Sequence, residues 1–272
     1  AENLITLEDG RVYLKGGVSE TDLTTYPDAT TSFAYTGTSF SVANQDSNPS
    51  GIAWDGTHFW VVGASNLVHK YNASGVYQNV NFSVASQGTS PTDIVWDGTY
   101  FWVINNATSP YKRVSKYSAA GVYQNVFWEY NAVTTMDGEG LAWDGTYFWV
   151  VGNSTDTIRK FNAAGVDQGV SYSVAAQETN PKGITFDGTY LWVVGTASGK
   201  AHKYNTSGVY QNESFAVNSQ DTSAQGIVSI GTALWTIGKT TDSAYKYQNQ
   251  IGVNSVSSGY GLLGQQNYVR IK

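Results

Sequence analysis

The chain has no cysteine. That excludes disulfides, thiolate metal centres and thiol nucleophiles together, while leaving the compartment open. Histidine occurs only three times and methionine once. Charge is also sparse: 13% of the 272 residues are charged, with a formal net charge of -6. A weakly charged, acidic surface argues against a nucleic-acid backbone or an anionic membrane as partner. No apolar run is long enough to span a bilayer. No secretory leader is legible either, because Ala1 leads directly into a polar–apolar strand pattern.

What is abundant is glycine (29 residues), aromatic residues (14%) and an internal repeat. Gly51-Ile-Ala-Trp-Asp-Gly-Thr-His-Phe-Trp-Val-Val-Gly63 returns as Asp93-Ile-Val-Trp-Asp-Gly-Thr-Tyr-Phe-Trp-Val-Ile-Asn105. Further copies begin at Gly140 and Gly183, and a decayed one at Gly226. The turn position runs Asp55, Asp97, Asp144, Asp187, Ile230, in steps of 42, 47, 43 and 43 residues. Counting back 46 residues reaches Asp9, which implies a sixth unit.

Each unit reads as four strands. The Asp-Gly pairs predict a two-residue hairpin of type I′, centred on Asp55-Gly56 and its copies. The second strand is apolar on both faces (Phe59, Trp60, Val61, Val62), which requires sheets stacked face to face. The fourth alternates, with Val80, Phe82 and Val84 expected inward. A sandwich does not need near-identical hairpins at this period, and an open solenoid exposes an apolar face at each end. The expectation is an all-β, single-domain β-propeller over 1–272, with six four-stranded blades (five or seven being the alternatives). Their approximate spans are 1–49, 50–91, 92–138, 139–181, 182–225 and 226–272. The terminal segments 4–14 and 268–272 are expected to close the ring, since an open ring leaves an unpaired edge.

The unit Ser83-Val-Ala-Ser-Gln…Ser90-Pro…Trp96-Asp-Gly-Thr…Trp102-Val resembles repeats of bacteriophage tail-associated proteins. Thr21-Asp-Leu-Thr-Thr-Tyr-Pro-Asp-Ala29 and the terminal Gln266-Asn-Tyr-Val-Arg-Ile-Lys272 are similar to segments of phage tail fibres. The resemblance implies a viral, extracellular tail protein that attaches to a host-surface glycan or receptor beside other virion tail proteins. It carries over no catalytic residue.

The repeated Asp55, Asp97, Asp144 and Asp187 are read as turn formers rather than catalysts. Trp60, Trp102, Trp149, Trp192 and Trp235 recur once per unit and are read as core. His58, His69 and His202 stand at blade positions that do not converge, so no metal site is expected, and no cofactor loop is present. Function is sought where the copies differ. The last positions before the inner strands, Ser50, Thr92, Glu139, Lys182 and Gln225, are expected to ring the channel mouth on the rim opposite the hairpin turns. The unit 92–138 is the odd one, with an enlarged 105–113 loop, an irregular 131–139 loop, and Phe127-Trp-Glu-Tyr130 in its outer strand. Trp128 and Tyr130 suit stacking on a sugar ring or anchoring a protein contact, or else a larger aromatic filling the core slot. Asn106, Tyr111, Lys112, Asp137 and Glu139 are the candidate ligand contacts. The reading is a non-catalytic receptor-binding module. The alternatives are a polysaccharide hydrolase or lyase using Asp137 with Glu139, and a structural spacer or oligomerisation module. The turn rim is expected to be functionally quiet.

Overall fold

The computed structural model describes residues 4–6, 12–14, 31–107, 112–130 and 136–251. The chain divides into two compact units, one of 1–33 with 249–272 and one of 34–248. In the first, β1 (Leu4–Thr6) pairs antiparallel with β2 (Val12–Leu14), Leu4 opposite Leu14. The candidate closing segment 268–272 lies outside the described residues.

The larger unit is a β-propeller. Blade one is β4 (Pro49–Trp54), β5 (His58–Gly63), β6 (Leu67–Asn72) and β7 (Tyr77–Ser83). Blade two is β8 (Pro91–Trp96), β9 (Tyr100–Asn106), β10 (Lys112–Ser118) and β11 (Tyr123–Glu129). Blade three is β12 (Gly138–Trp143), β13 (Tyr147–Gly152), β14 (Thr157–Asn162) and β15 (Asp167–Ser173). Blade four is β16 (Pro181–Phe186), β17 (Leu191–Gly195), β18 (Lys200–Tyr204) and β19 (Tyr210–Ala216). Blade five is β20 (Ala224–Ile230), β21 (Ala233–Gly238) and β22 (Ser243–Ile251), completed by β3 (Thr31–Ser41) from the other end of the sequence. The innermost strands β4, β8, β12, β16 and β20 neighbour one another in a closed cycle.

Among the described residues there are five blades, not six. In the decayed copy at Gly226 the fourth place in the sheet, beside β22, is filled from the other end of the sequence. Residues 31–41 occupy it, so the N-terminal stretch completes the last blade instead of founding another. Closure therefore falls to β3: Val42 N–H donates to Asp242 O, Thr36 Oγ1 to Lys246 O, and Phe40 and Val42 are buried.

Three local expectations change for physical reasons. The hairpin centre is Gly56-Thr57, one residue later than expected, because Asp55 N–H pairs with His58 O. Gly56 (φ +96°) takes the first central position, where a type II′ turn requires glycine. The Asp55 side chain then caps the turn. Its Oδ1 accepts the N–H groups of Thr57 (2.8 Å) and His58 (2.7 Å), and its Oδ2 accepts the Trp60 indole N–H (2.7 Å). Asp97, Asp144 and Asp187 repeat the arrangement with Trp102, Trp149 and Trp192. In β7, Asn79 is left-handed (φ +54°) and the register slips between His69 and Tyr71. This bulge turns Val80 outward, to 44% exposure, while Phe82 and Val84 stay inside. Finally, Trp128 and Tyr130 are buried (6% and 0%), Trp128 stacking on Phe161 at 5.0 Å, so neither is offered to a sugar.

Candidate functional site

Inner strands put equivalent residues at five successive levels along the propeller axis. The first level, on the rim of inter-blade loops, holds the five polar residues singled out from the sequence. Ser50 Oγ donates to Pro91 O (2.8 Å) and Val62 O (3.2 Å), and Thr92 Oγ1 to Gly138 O (3.0 Å). Glu139 Oε1 and Lys182 Nζ form an ion pair at 3.4 Å, both side chains largely buried at 14% and 16% exposure. Three of the five junctions between blades are thus bridged by side chains at this level. Gln225 instead folds back onto Ser223. Burial pushes the Glu139 carboxyl above its ordinary range, and Asp137 adds to this, while Lys182 and Lys239 pull the other way.

Outward from this level, Lys112 pairs with Asp137, whose own N–H donates to Ser154 Oγ (2.9 Å). Asn106 closes β9, its Oδ1 accepting the Tyr130 hydroxyl at 3.4 Å. Tyr111 and residues 131–135 lie outside the described residues. Asp137 and Glu139 therefore flank the start of β12, but each is held by its own lysine. Among the described residues no group of histidines and carboxylates is arranged to hold a metal.

The second level is Gly51, Asp93, Gly140, Gly183 and Gly226. Here the strands nearly touch: a Cβ on Gly140 would lie 2.8 Å from Ile184 N, and one on Gly226 3.0 Å from Gly51 Cα. Asp93 breaks the glycine ring. It is 1% exposed, its Oδ1 accepts Ile94 N–H (2.9 Å), and its Oδ2 accepts Leu141 N–H (2.9 Å) from the next blade. Burial drives this carboxyl well above the usual carboxylate range, against the pull of N–H groups from Leu141, Ile94 and Ile52. One side chain thereby joins three inner strands. The signal was legible, since Asp93 stands where three good copies begin with glycine, yet the sequence reading passed over it.

The remaining levels are apolar and then aromatic: Ile52, Ile94, Leu141, Ile184 and Ile227; then Ala53, Val95, Ala142, Thr185 and Val228; then Trp54, Trp96, Trp143, Phe186 and Ser229. Together they line a cavity of about 110 Å³.

A recurring carboxylate clamp on the loop rim was also missed. Glu178, 1% exposed, accepts N–H groups from Asn180, Ala197 and Ser198 and the Ser198 hydroxyl, which also meets His202 Nε2 at 3.0 Å. Asp46 with Ser65 and His69, and Asp221 with Thr241 and Tyr245, repeat it. The hydroxyl, not the imidazole, sits in the middle, with its proton committed to the carboxylate. The set therefore lacks the base-activated nucleophile of a hydrolytic triad and acts as a tie between loops.

No protein-family model matches the chain, and no curated protein matches it. Among solved structures, the glutaminyl cyclase of Myxococcus xanthus superposes with a TM-score of 0.64 at 9% identity, covering 83% of this chain and 100% of that one. The PQQ-bound aldose sugar dehydrogenase of Streptomyces coelicolor gives 0.56 at 11%, with coverage of 83% and 100%. Virginiamycin B lyase of Staphylococcus aureus gives 0.48 at 16%, with coverage of 90% and 79%. At these identities the likeness is one of fold.

Proposed function

We propose that this propeller is a binding module that takes a polar, hydroxyl-rich ligand on its loop rim, over the Glu139–Lys182 pair. The observation that carries the reading is that pair. At one pseudo-equivalent level of a repeating ring, two adjacent blades place a largely buried acceptor and a largely buried donor at the end of the axis. A ligand rich in hydroxyls offers partners to both, and Lys112 with Asp137 extends the same alternation outward. The resemblance of the repeats and of the terminal segments to phage tail proteins supports a host-surface glycan or receptor as the ligand, and the virion tail as the location. A glycan array and binding of fluorescent protein to candidate host cells test this. E139Q and K182A should each weaken binding about tenfold or more, and N162A, on the turn rim, should not. Retained binding in both loop-rim variants would sink the proposal.

A second reading has its own observation. Glu139 carries a carboxyl raised by burial, as a general acid requires, and the fold is one that serves enzymes such as the cyclase and dehydrogenase above. Depolymerisation of a surface polysaccharide by the native chain but not by E139Q would establish a hydrolase or lyase instead.

A further inference from the structure

The turn rim, expected to be scaffold alone, carries the mouth of the axial cavity at its centre. The repeat builds a collar there: Trp54, Trp96, Trp143 and Phe186 occupy one position in four blades, all partly exposed. Each tryptophan leans on the phenylalanine of its own hairpin, at 4.8 Å from Phe59, 4.6 Å from Phe101 and 4.5 Å from Phe148, so the collar is held rigid. In the fifth blade the same position is Ser229, and the position above it in blade four is Thr185, where other copies have alanine or valine. Ser229 N–H donates to Thr185 Oγ1 (3.1 Å), so the two departures from the repeat form one polar notch in an aromatic ring.

The ionisable side chains next to the lining residues along the inner strands are acidic. Among the described residues no lysine, arginine or histidine lines the cavity. Asp55, Asp97, Asp144 and Asp187 each directly follow a collar residue, and Asp93 stands at the next level beyond the lining residues. Alternation along the inner strands turns main-chain carbonyls, together with N–H groups, towards the axis. Asp55 pairs with His58, so the main-chain groups of Trp54 and Ile52, one and three residues back, are turned from β5 towards the axis. One strand further out, the same rim already seats cations on rings: Lys116 over Tyr100 at 3.7 Å, Lys160 over Tyr147 at 3.7 Å and Lys203 over Tyr190 at 4.2 Å.

We propose that the axial cavity of the turn rim binds a small organic cation, a methylated ammonium head group, within the collar of Trp54, Trp96, Trp143 and Phe186. Aromatic rings at the mouth and main-chain carbonyls along the wall favour a weakly hydrated organic cation over an anion. The volume of about 110 Å³ sets the size at one such head group, a little below the roughly 150 Å³ apolar cavity that holds a benzene. The hydroxyl groups of Thr185 and Ser229 offer hydrogen-bond partners to a hydroxylated tail.

Choline and tetramethylammonium are titrated into the intact chain, following tryptophan fluorescence, with 3,3-dimethylbutan-1-ol as the uncharged isostere of choline. Saturable quenching is expected with both cations, at least about tenfold weaker with the alcohol, which is the selectivity of a desolvated cation on aromatic faces. W143A should lose the response. Because W143A also removes packing against Phe148, S229F is the cleaner variant: it closes the collar with a ring that blade four already carries at that position, adds no tryptophan and should abolish quenching in a folded protein. Equal affinity for choline and the alcohol overturns the proposal, as does the absence of saturable quenching. A folded S229F that still responds overturns the placement.

Discussion

Replacing Asp55 by alanine tests the reading of the hairpin as a carboxylate-capped turn. Three donors lose their acceptor at once: the N–H groups of Thr57 and His58 and the indole N–H of Trp60. The two main-chain groups lie at the rim, where water replaces the carboxylate at a net loss of about 0.5–1.5 kcal/mol each. Trp60 is only 3% exposed, so its N–H is stranded away from solvent, at about 1–3 kcal/mol. The sum is about 4 kcal/mol, or roughly 8–16 °C in Tm for a chain of this size. Urea unfolding of wild type, D55A, W60F and D55A/W60F isolates the indole contribution, and a coupling of about 1–2 kcal/mol is expected between the two sites. The pH dependence gives an independent check. Burial alone raises the Asp55 carboxyl, but the bonds from Trp60, His58 and Thr57 outweigh it and hold the group below its ordinary value. A depressed carboxylate contributes stability above its unfolded pKa of about 3.9 and loses it as pH falls through the folded value. D55A should therefore lack this part of the acid sensitivity below about pH 4. A loss under 1 kcal/mol, or a coupling near zero, would refute the capping account.

Two glycines separate backbone strain from steric exclusion. Gly98 (φ +98°) has nothing within 4 Å of an added Cβ, so G98A should cost about 1–2 kcal/mol from strain alone; at Gly165 (φ +76°) the Cβ would fall 2.1 Å from Trp128 Cγ, and G165A should cost at least twice as much in the same denaturation assay. The loop clamp should be transferable: Gly88 stands where other blades have an acid, and Asn105 fills the space that Gly63, Gly195 and Gly238 leave open. G88D and N105G should each destabilise by about 1–3 kcal/mol, whereas the double variant should recover part of the loss, the strain at φ +155° and the missing hydroxyl at Ala107 keeping the rest. Burial holds the imidazoles of His69 and His202 below their ordinary value, opposed by Asp46 and Glu178. The unfolded chain takes up these protons first, so stability should fall as pH drops below about 6.5, and H69Q/H202Q should flatten thermal melts between pH 5 and 7.

The blade was legible because its determinants are local and repeated. The hairpin aspartates, the doubly covered second strand and the buried tryptophans each recur at a fixed spacing. Features that depend on distant chain were not legible. Nothing within residues 31–41 marks them as the fourth strand of a blade begun near residue 224, and the count of six came from extending the repeat back to Asp9 as a further blade. The outer-strand bulge was hidden because asparagine suits both a left-handed bulge and an ordinary exposed strand position. Trp128 and Tyr130 read equally well as ligand contacts or core until their partners were placed. At the loop rim the sequence located the polar level by alignment of the copies, but not the pairing of Glu139 with Lys182, which requires knowing which blades are neighbours. Asp93 and the Ser229 notch were visible in the same alignment as departures from the repeat.

Blade five also has a mechanical meaning. Val42 lies by Asp242 and Thr36 by Lys246, so β3 and β22 run in opposite directions. Tension applied to the two strands at Thr36 and Lys246 opens the ladder from there towards Val42 rung by rung rather than shearing all rungs together. The first structure lost would be β3, and with it Phe40, whose ring packs on Phe59 and Tyr71 and lies against Gly75 of blade one. A chain pulled at these two strands would thus yield at the clasp, at low force, with four blades still folded.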